Sequence, residues 1–273
     1  MPARRLPLAL AASVGLIAVA FALGVRPRAD RAWAADHARQ AWAEIDGDRL
    51  VVHDLRAARW RSADDVDVRW EDRTYDLSRL RDAWYVVVPF GEWRGPAHTF
   101  VSFGFGDGAF LSVSVEARRE AGEAYSPWRG LARGYELIYV VGDERDLVHA
   151  RAAVWGDPTW VYPVAGEVSA FREMLVGMLA RASRLRESPE HYDTLTNSCM
   201  SNVADHVDAV APGRVPRGWR LLLPGYSDEV ALEAGLLATE GPIEAARARF
   251  RVNEAARRHA DDPSFSLRIR EGR

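Results

Sequence analysis

Lysine is absent from this chain: all 36 basic side chains among its 273 residues are arginine. That excludes a lysine Schiff base and a lysine general base at once. Cysteine occurs once, at Cys199, so no disulfide can form within the chain. An excess of charge of one sign is also lacking. The net charge of −3 leaves no basic footprint for nucleic acid, and no nucleic-acid partner is expected. Internal repeats, low-complexity tracts and long linkers are missing as well, and neither a metal nor a cofactor is expected. What remains is ordinary globular composition, 48% hydrophobic and 27% charged, with enough apolar material for a core.

Long apolar runs are scarce too, with one exception. Residues 6–25 (LPLALAASVGLIAVAFALGV) are uncharged and follow Arg4 and Arg5. A membrane span takes ~20 apolar residues, whereas a cleaved signal core is commonly ~7–15. The length favours an uncleaved N-terminal transmembrane helix over a cleaved signal, with the remainder of the chain in the periplasm and the span in the inner membrane. A lipoprotein signal is excluded, because no cysteine follows the run. The chain divides into the anchor or signal segment (1–28), a helical and extended lead-in (29–64), a main domain (65–240) and a polar C-terminal helix with a frayed tail (241–273).

Patterning along the chain predicts a helix over 31–46 and a strand over 81–90. HTFVSFGF (98–105) and AFLSVSVEA (109–117) flank Gly106-Asp107-Gly108 and read as a β-hairpin. Further strands are expected at 135–143 and 158–164. Residues 168–187 carry Phe171, Leu175, Met178 and Leu179 at helical spacing, and later helices are expected from about Ser198 to Pro212, at 227–237 and at 243–259. Strands in the middle and helices after them make an α+β protein, with an antiparallel sheet packed by helices.

A lone thiol is either a small buried hydrophobe or a reactive group. Cys199 lies just inside a predicted helix start, with Thr196, Asn197 and Ser198 as possible caps. Free N–H groups there would favour a thiolate and lower its pKa. A thiol nucleophile also needs a base. His37, His53 and His259 fall in segments that read as solvated, and His191 and His149 lie in a loop and a charged patch. His206 is two helical turns from the cysteine, ~10.8 Å along the axis. His98, opening a strand after Gly95-Pro96, is the best-placed candidate. With the hairpin turn centred on Asp107, facing residues have numbers that sum to 214, so His98 lies opposite Glu116. Such neighbours have Cβ atoms ~4.5–5.5 Å apart. Glu116 could then orient the imidazole, although a surface cross-strand pair would look the same.

Three blocks, HTFVSFGFGDGAFLSVSVEARREAGEAYSPWRGLARGYELIYVVGDERD, YDTLTNSCMSNVADHV and LLLPGYSDEVALEAGLL, resemble the Lnb N-terminal periplasmic domain family over roughly residues 65–237. The namesake of that family is a bacterial lipoprotein N-acyltransferase. The resemblance implies a circularly permuted papain-like fold, in which the histidine strand precedes the cysteine helix. It implies Cys199 as nucleophile, His98 as base and Glu116 as the acidic residue of the next strand. The sequence departs from the family pattern at Ser198 and Met200. On this reading Cys199 attacks an ester or amide carbonyl and forms an acyl-thioester. The Cys199 N–H, with the Asn197 side chain beside it, would hold the oxyanion. A membrane phospholipid would be donor and a lipoprotein N-terminus acceptor. An envelope cysteine peptidase or amidase, and a non-catalytic envelope binding module, are the alternatives.

Overall fold

The computed structural model describes residues 26–91, 93–216 and 218–273. The span expected over 6–25 lies outside the described residues, among which no helix is long and apolar enough to cross a membrane. Eleven strands are present among them: β1 (Trp42–Asp46), β2 (Arg49–Arg56), β3 (Arg59–Trp60), β4 (Val66–Asp67), β5 (Trp70–Asp76), β6 (Leu80–Pro89), β7 (Ala97–Phe105), β8 (Phe110–Arg118), β9 (Tyr135–Gly142), β10 (Trp160–Pro163) and β11 (His191–Tyr192). The helices are α1 (Pro127–Leu131), α2 (Glu144–His149), α3 (Val168–Glu187), α4 (Cys199–Val210), α5 (Ser227–Glu233), α6 (Ile243–Phe250), α7 (Asn253–Arg258) and α8 (Phe265–Arg268).

Nine strands make one sheet in the order β1-β2-β9-β8-β7-β6-β10, with β11 added to β9 and β5 to β2. The hairpin expected at Gly106-Asp107-Gly108 is β7–β8. Its pairs, from Phe100↔Ser114 to Gly104↔Phe110, keep the predicted sum. Gly108 takes φ +82°, a conformation that a side chain would strain. The strands over 81–90, 135–143 and 158–164 also form, as β6, β9 and β10.

The fold is α+β, but the sheet is mixed rather than antiparallel. β2 meets β9 in parallel at Arg56↔Gly142. A Cβ on Gly142 would stand 2.7 Å from the Arg56 carbonyl oxygen, so the approach depends on glycine. The helix expected over 31–46 is also corrected, by the pairing of β1 with β2. Residues 31–46 form a short 3-10 turn at Ala35–His37 and then strand β1, not a helix. Trp42 stacks on His53 across the β1–β2 pair at 4.0 Å between ring centroids, and the Ala43 N–H donates to Ser183 Oγ at 3.2 Å. Tertiary pairing therefore overrides the helix propensity of the alanines.

Both faces of the sheet are covered. On one, α3 and α4 bury Phe171, Leu175, Met178, Leu179 and Val203 against Val101, Phe103 and Val113. On the other, α2, α7 and α8 bury Leu147, Val148, Ala256, Phe265 and Ile269 against Val86, Val88, Phe100 and Val140. The C-terminus is thus not a polar helix with a frayed tail. The helix expected over 243–259 breaks between Phe250 and Asn253, where the Val252 N–H donates to the Thr159 carbonyl at 3.0 Å. Phe265 and Ile269 are then buried on the second face.

A buried ion pair ties the lead-in to this frame. Arg56 reaches Asp146 through Nε at 2.6 Å and Nη2 at 3.1 Å, and Asp146 also accepts from Trp60 Nε1 and the Ala58 N–H. Removing one charge of such a pair leaves the other stranded in low dielectric. Asp146→Asn should therefore destabilise the protein by roughly 3–5 kcal/mol in urea denaturation; a change below about 1 kcal/mol would show that β2 is held by its strand pairing instead.

Candidate active site

Cys199 is the first residue of α4, and Ser198 caps the helix. The Ser198 hydroxyl accepts from the Ser201 N–H, and Ser201 Oγ accepts from the Ser198 N–H at 2.8 Å. This capping box leaves the Cys199 N–H, at the first helical position, without an intrahelical acceptor. The thiol itself is buried, with Sγ 4.0 Å from the carbonyl oxygen of Ala97 at the start of β7. The expected depression of its pKa is not found. Burial pushes the thiol up, against the Thr99 amide and hydroxyl, the Met200 amide and the Arg151 charge, which favour the thiolate.

His98 lies one residue beyond Ala97 on β7, also buried, on the sheet face that carries Phe100. No hydrogen bond joins it to Cys199 among the described residues. Its Nε2 is 3.7 Å from Glu116 Oε1, so the predicted facing pair is close, but Ser114 Oγ stands between them. Ser114 Oγ is 2.7 Å from His98 Nε2 and donates to Glu116 Oε1 at 2.8 Å. A hydroxyl has a single proton to give. Ser114 must therefore accept from His98, which places the imidazole proton on Nε2 and the free lone pair on Nδ1. Burial and the Arg151 charge, against Glu116, pull the His98 pKa down to about 3, so the ring is neutral at rest.

Glu116 is held from several sides. His37 Nδ1 accepts from the Arg119 N–H at 2.9 Å, so His37 Nε2 carries a proton and donates to Glu116 Oε2 at 3.1 Å. Arg151 Nη2 lies 3.9 Å from Oε1. Burial alone would raise this carboxyl, but the His37 hydrogen bond and the Arg56 charge hold it well below its ordinary range. Arg151 comes from a π-helical turn, Ala150–Trp155, that continues α2.

The structure thus brings His98 and Glu116 together and seats Cys199 beside the His98 backbone. Asn197 does not take the oxyanion position expected of it. Its Nδ2 donates to the His191 carbonyl at 2.9 Å and to Glu190 at 3.3 Å, and its Oδ1 accepts from Asn202 at 2.8 Å. It braces the loop before the helix. His37, read from sequence as solvated, is instead buried and bonded to Glu116. Ser114 and Arg151 were also missed. Ser114 was legible, since it lies two residues before Glu116 and shares its face. No local signal marks His37 or Arg151.

Together these features define an α+β domain with a buried thiol and a histidine–carboxylate pair at one end of a helix-covered mixed sheet. The family model of the Lnb N-terminal periplasmic domain matches residues 67–225, more than half of the chain. The chain belongs to this family. The matched region is a periplasmic domain and includes His98, Ser114, Glu116, Arg151 and Cys199, whereas His37 and Arg56 lie before it. No curated protein matches the chain, and no solved structure does.

Two outcomes follow from the protonation states. A histidine whose pKa is lower folded than unfolded stabilises fully above its unfolded value of 6.5 and loses that stability as pH falls. His206, pulled down to about 4 by burial, has the same sign, as does the depressed Glu116 carboxyl. The Tm should be flat above about pH 7 and fall steadily toward about pH 4, with a shallower fall in His98→Gln; a flat wild-type profile would contradict the buried neutral ring. Cys199 should also react with a thiol-directed probe at about pH 7 more slowly than an unstructured peptide cysteine. Equal or faster labelling would show a stabilised thiolate.

Proposed function

We propose that this protein is a periplasmic cysteine acyltransferase that takes its acyl group from a phospholipid and passes it through a thioester on Cys199. The observation that carries this reading is an apolar cleft beginning at the residue after the cysteine. Met200, Val203, Ala204 and Val207 of α4 form one wall, and Phe171, Met174, Val230 and Leu237 lie among the residues opposite. The cavity within it has a volume of about 130 Å³ and opens to solvent at its mouth. Its two hydroxyls, on Tyr85 and Ser227, bond to each other at 2.7 Å. A peptide backbone would leave its amides unpaired there, whereas an alkyl chain needs no polar partner.

In this mechanism the start of β7 shifts to bring His98 Nδ1 round from the other face of the sheet to Cys199, and Nδ1 takes the thiol proton as Sγ leaves the Ala97 carbonyl and attacks the ester carbon. The Cys199 N–H at the helix start supports the oxyanion. The C–O bond breaks, His98 returns its proton to the leaving alcohol, and the acyl group remains as a thioester. An amine then attacks the thioester, His98 receives its proton, and the amide leaves as the thiol is reprotonated. Glu116, through Ser114, keeps the proton on Nε2, so Nδ1 stays available. A lipoprotein N-terminus is the acceptor this family's namesake suggests. The histidine-before-cysteine order and the helix-start cysteine support a permuted papain-like plan. The apolar run at 6–25 supports a single inner-membrane span.

The test is intact-protein mass spectrometry after incubation of the full chain with phospholipid vesicles. An acyl adduct should form on wild type, discharge when an amine is added, and be absent in Cys199→Ala. His98→Gln should slow adduct formation by ~10²–10⁴. Val207→Phe, which narrows the cleft, should slow reaction with long-chain donors while sparing short-chain ones. No adduct on wild type, with phospholipid present and the fold intact, would overturn the acyltransferase.

A further inference from the structure

The end of the sheet that holds Cys199 also carries the five most exposed large apolar side chains among the described residues. These are Trp128 at 79%, Trp219 at 69%, Trp93 at 59%, Leu195 at 51% and Leu222 at 50%. They come from four separate segments, each pinned to that end. Trp93 lies in the loop between Pro89 and Ala97, which pair across the last rung of β6–β7. Trp219 and Leu222 lie in a segment clasped to the same loop. There the Gly225 N–H donates to the Gly95 carbonyl at 3.0 Å, and a Cβ on Gly225 would stand 1.5 Å from the Arg94 carbonyl oxygen. Trp128 sits on α1, which is held to the 193–198 loop by Thr194 Oγ1 donating to the Pro127 carbonyl at 3.1 Å. Leu195 is in that loop, four residues before Cys199.

The described chain begins at this same end. The Arg28 N–H donates to Glu136 at 3.0 Å, and Arg31 pairs with Glu120 at 2.7 Å. Glu136 opens β9, opposite Arg118 at the end of β8 and His191 in β11. The apolar run 6–25 therefore joins the fold beside the exposed tryptophans, not on the far side of the sheet. A bilayer holding that run would lie against this end. Tryptophan, with an apolar ring and one N–H donor, suits the headgroup boundary.

We propose that this end is a membrane-docking surface, with Trp93, Trp128 and Trp219 seated at the lipid headgroup–acyl boundary so that Cys199 faces the bilayer. The use of that surface for catalysis rests on the acyltransferase reading; the docking itself does not. The residues of the apolar run include no tryptophan, so indole fluorescence reports on the folded domain alone. The full chain is reconstituted in phosphatidylcholine vesicles with and without brominated acyl chains, and tryptophan emission is compared. Three of the ten tryptophans should be quenched, a loss of up to roughly a third of the emission. The triple variant Trp93→Phe, Trp128→Phe, Trp219→Phe should lose most of that quenching while retaining its Tm. Absence of quenching in wild type, as expected if a protein partner or water covers this end, overturns the proposal. Equal quenching in the triple variant overturns it too, by placing lipid elsewhere. Cys199→Ala should be quenched like wild type, so a failure of acylation and a failure of docking are read separately.

Discussion

A single buried carboxylate, that of Glu116, is the constraint around which the site is arranged. An unpaired carboxylate in that position would be neutralised by its surroundings. It stays charged because His37, Arg56 and Arg151 come to it from three parts of the chain. Its remaining capacity goes to Ser114, and through Ser114 to the imidazole of His98. The orientation and protonation of that ring thus depend on residues more than a hundred positions apart. This gives the N-terminal segment a role beyond covering the sheet edge, since the turn before β1 delivers the His37 ring and β2 the Arg56 charge.

The proposed nucleophile and base come to the start of β7 from opposite faces of the sheet. Cys199 packs with the larger core under α3 and α4, beside the apolar cleft. The His98 ring lies with Phe100, Ser114 and Glu116 on the other face. They approach at the first residues of β7, where the sulfur rests near the Ala97 carbonyl and the next residue is the histidine. Substrate shape is set on one side and proton affinity on the other. Under the proposed reaction, changes to the cleft would alter the acyl chain accepted without disturbing the charges around His98.

Much of this was legible in the sequence where the determinants are local. The glycine turn and two alternating strands fix the hairpin register, and the register alone brings Glu116 to within 3.7 Å of His98. The spacing of Phe171, Leu175, Met178 and Leu179 marks the buried stripe of α3. The capped start of α4 is equally local. What could not be read depends on distant partners. Alanine-rich residues near Trp42 become a strand because β2 is there to pair with. His37 is buried because β8 ends beside it. The thiol's pKa rises because burial, absent from any local pattern, outweighs the helix start. Asn197 is consumed by Glu190 in the loop after α3, His191 in β11 and Asn202 in the helix that follows.

The π turn at Ala150–Trp155 has a further meaning for how such a site can change. A π turn is an α-helix with one residue too many, and it persists where the extra residue is useful. Loss of any one residue from this stretch would let the helix close to ordinary pitch and rotate the Arg151 guanidinium away from Glu116. The strands and the apolar cleft would stay as they are, while the thiol would lose a charge that favours its thiolate. The charge balance around the histidine and the thiol is thus adjustable by length, through an element that forms no part of the cleft.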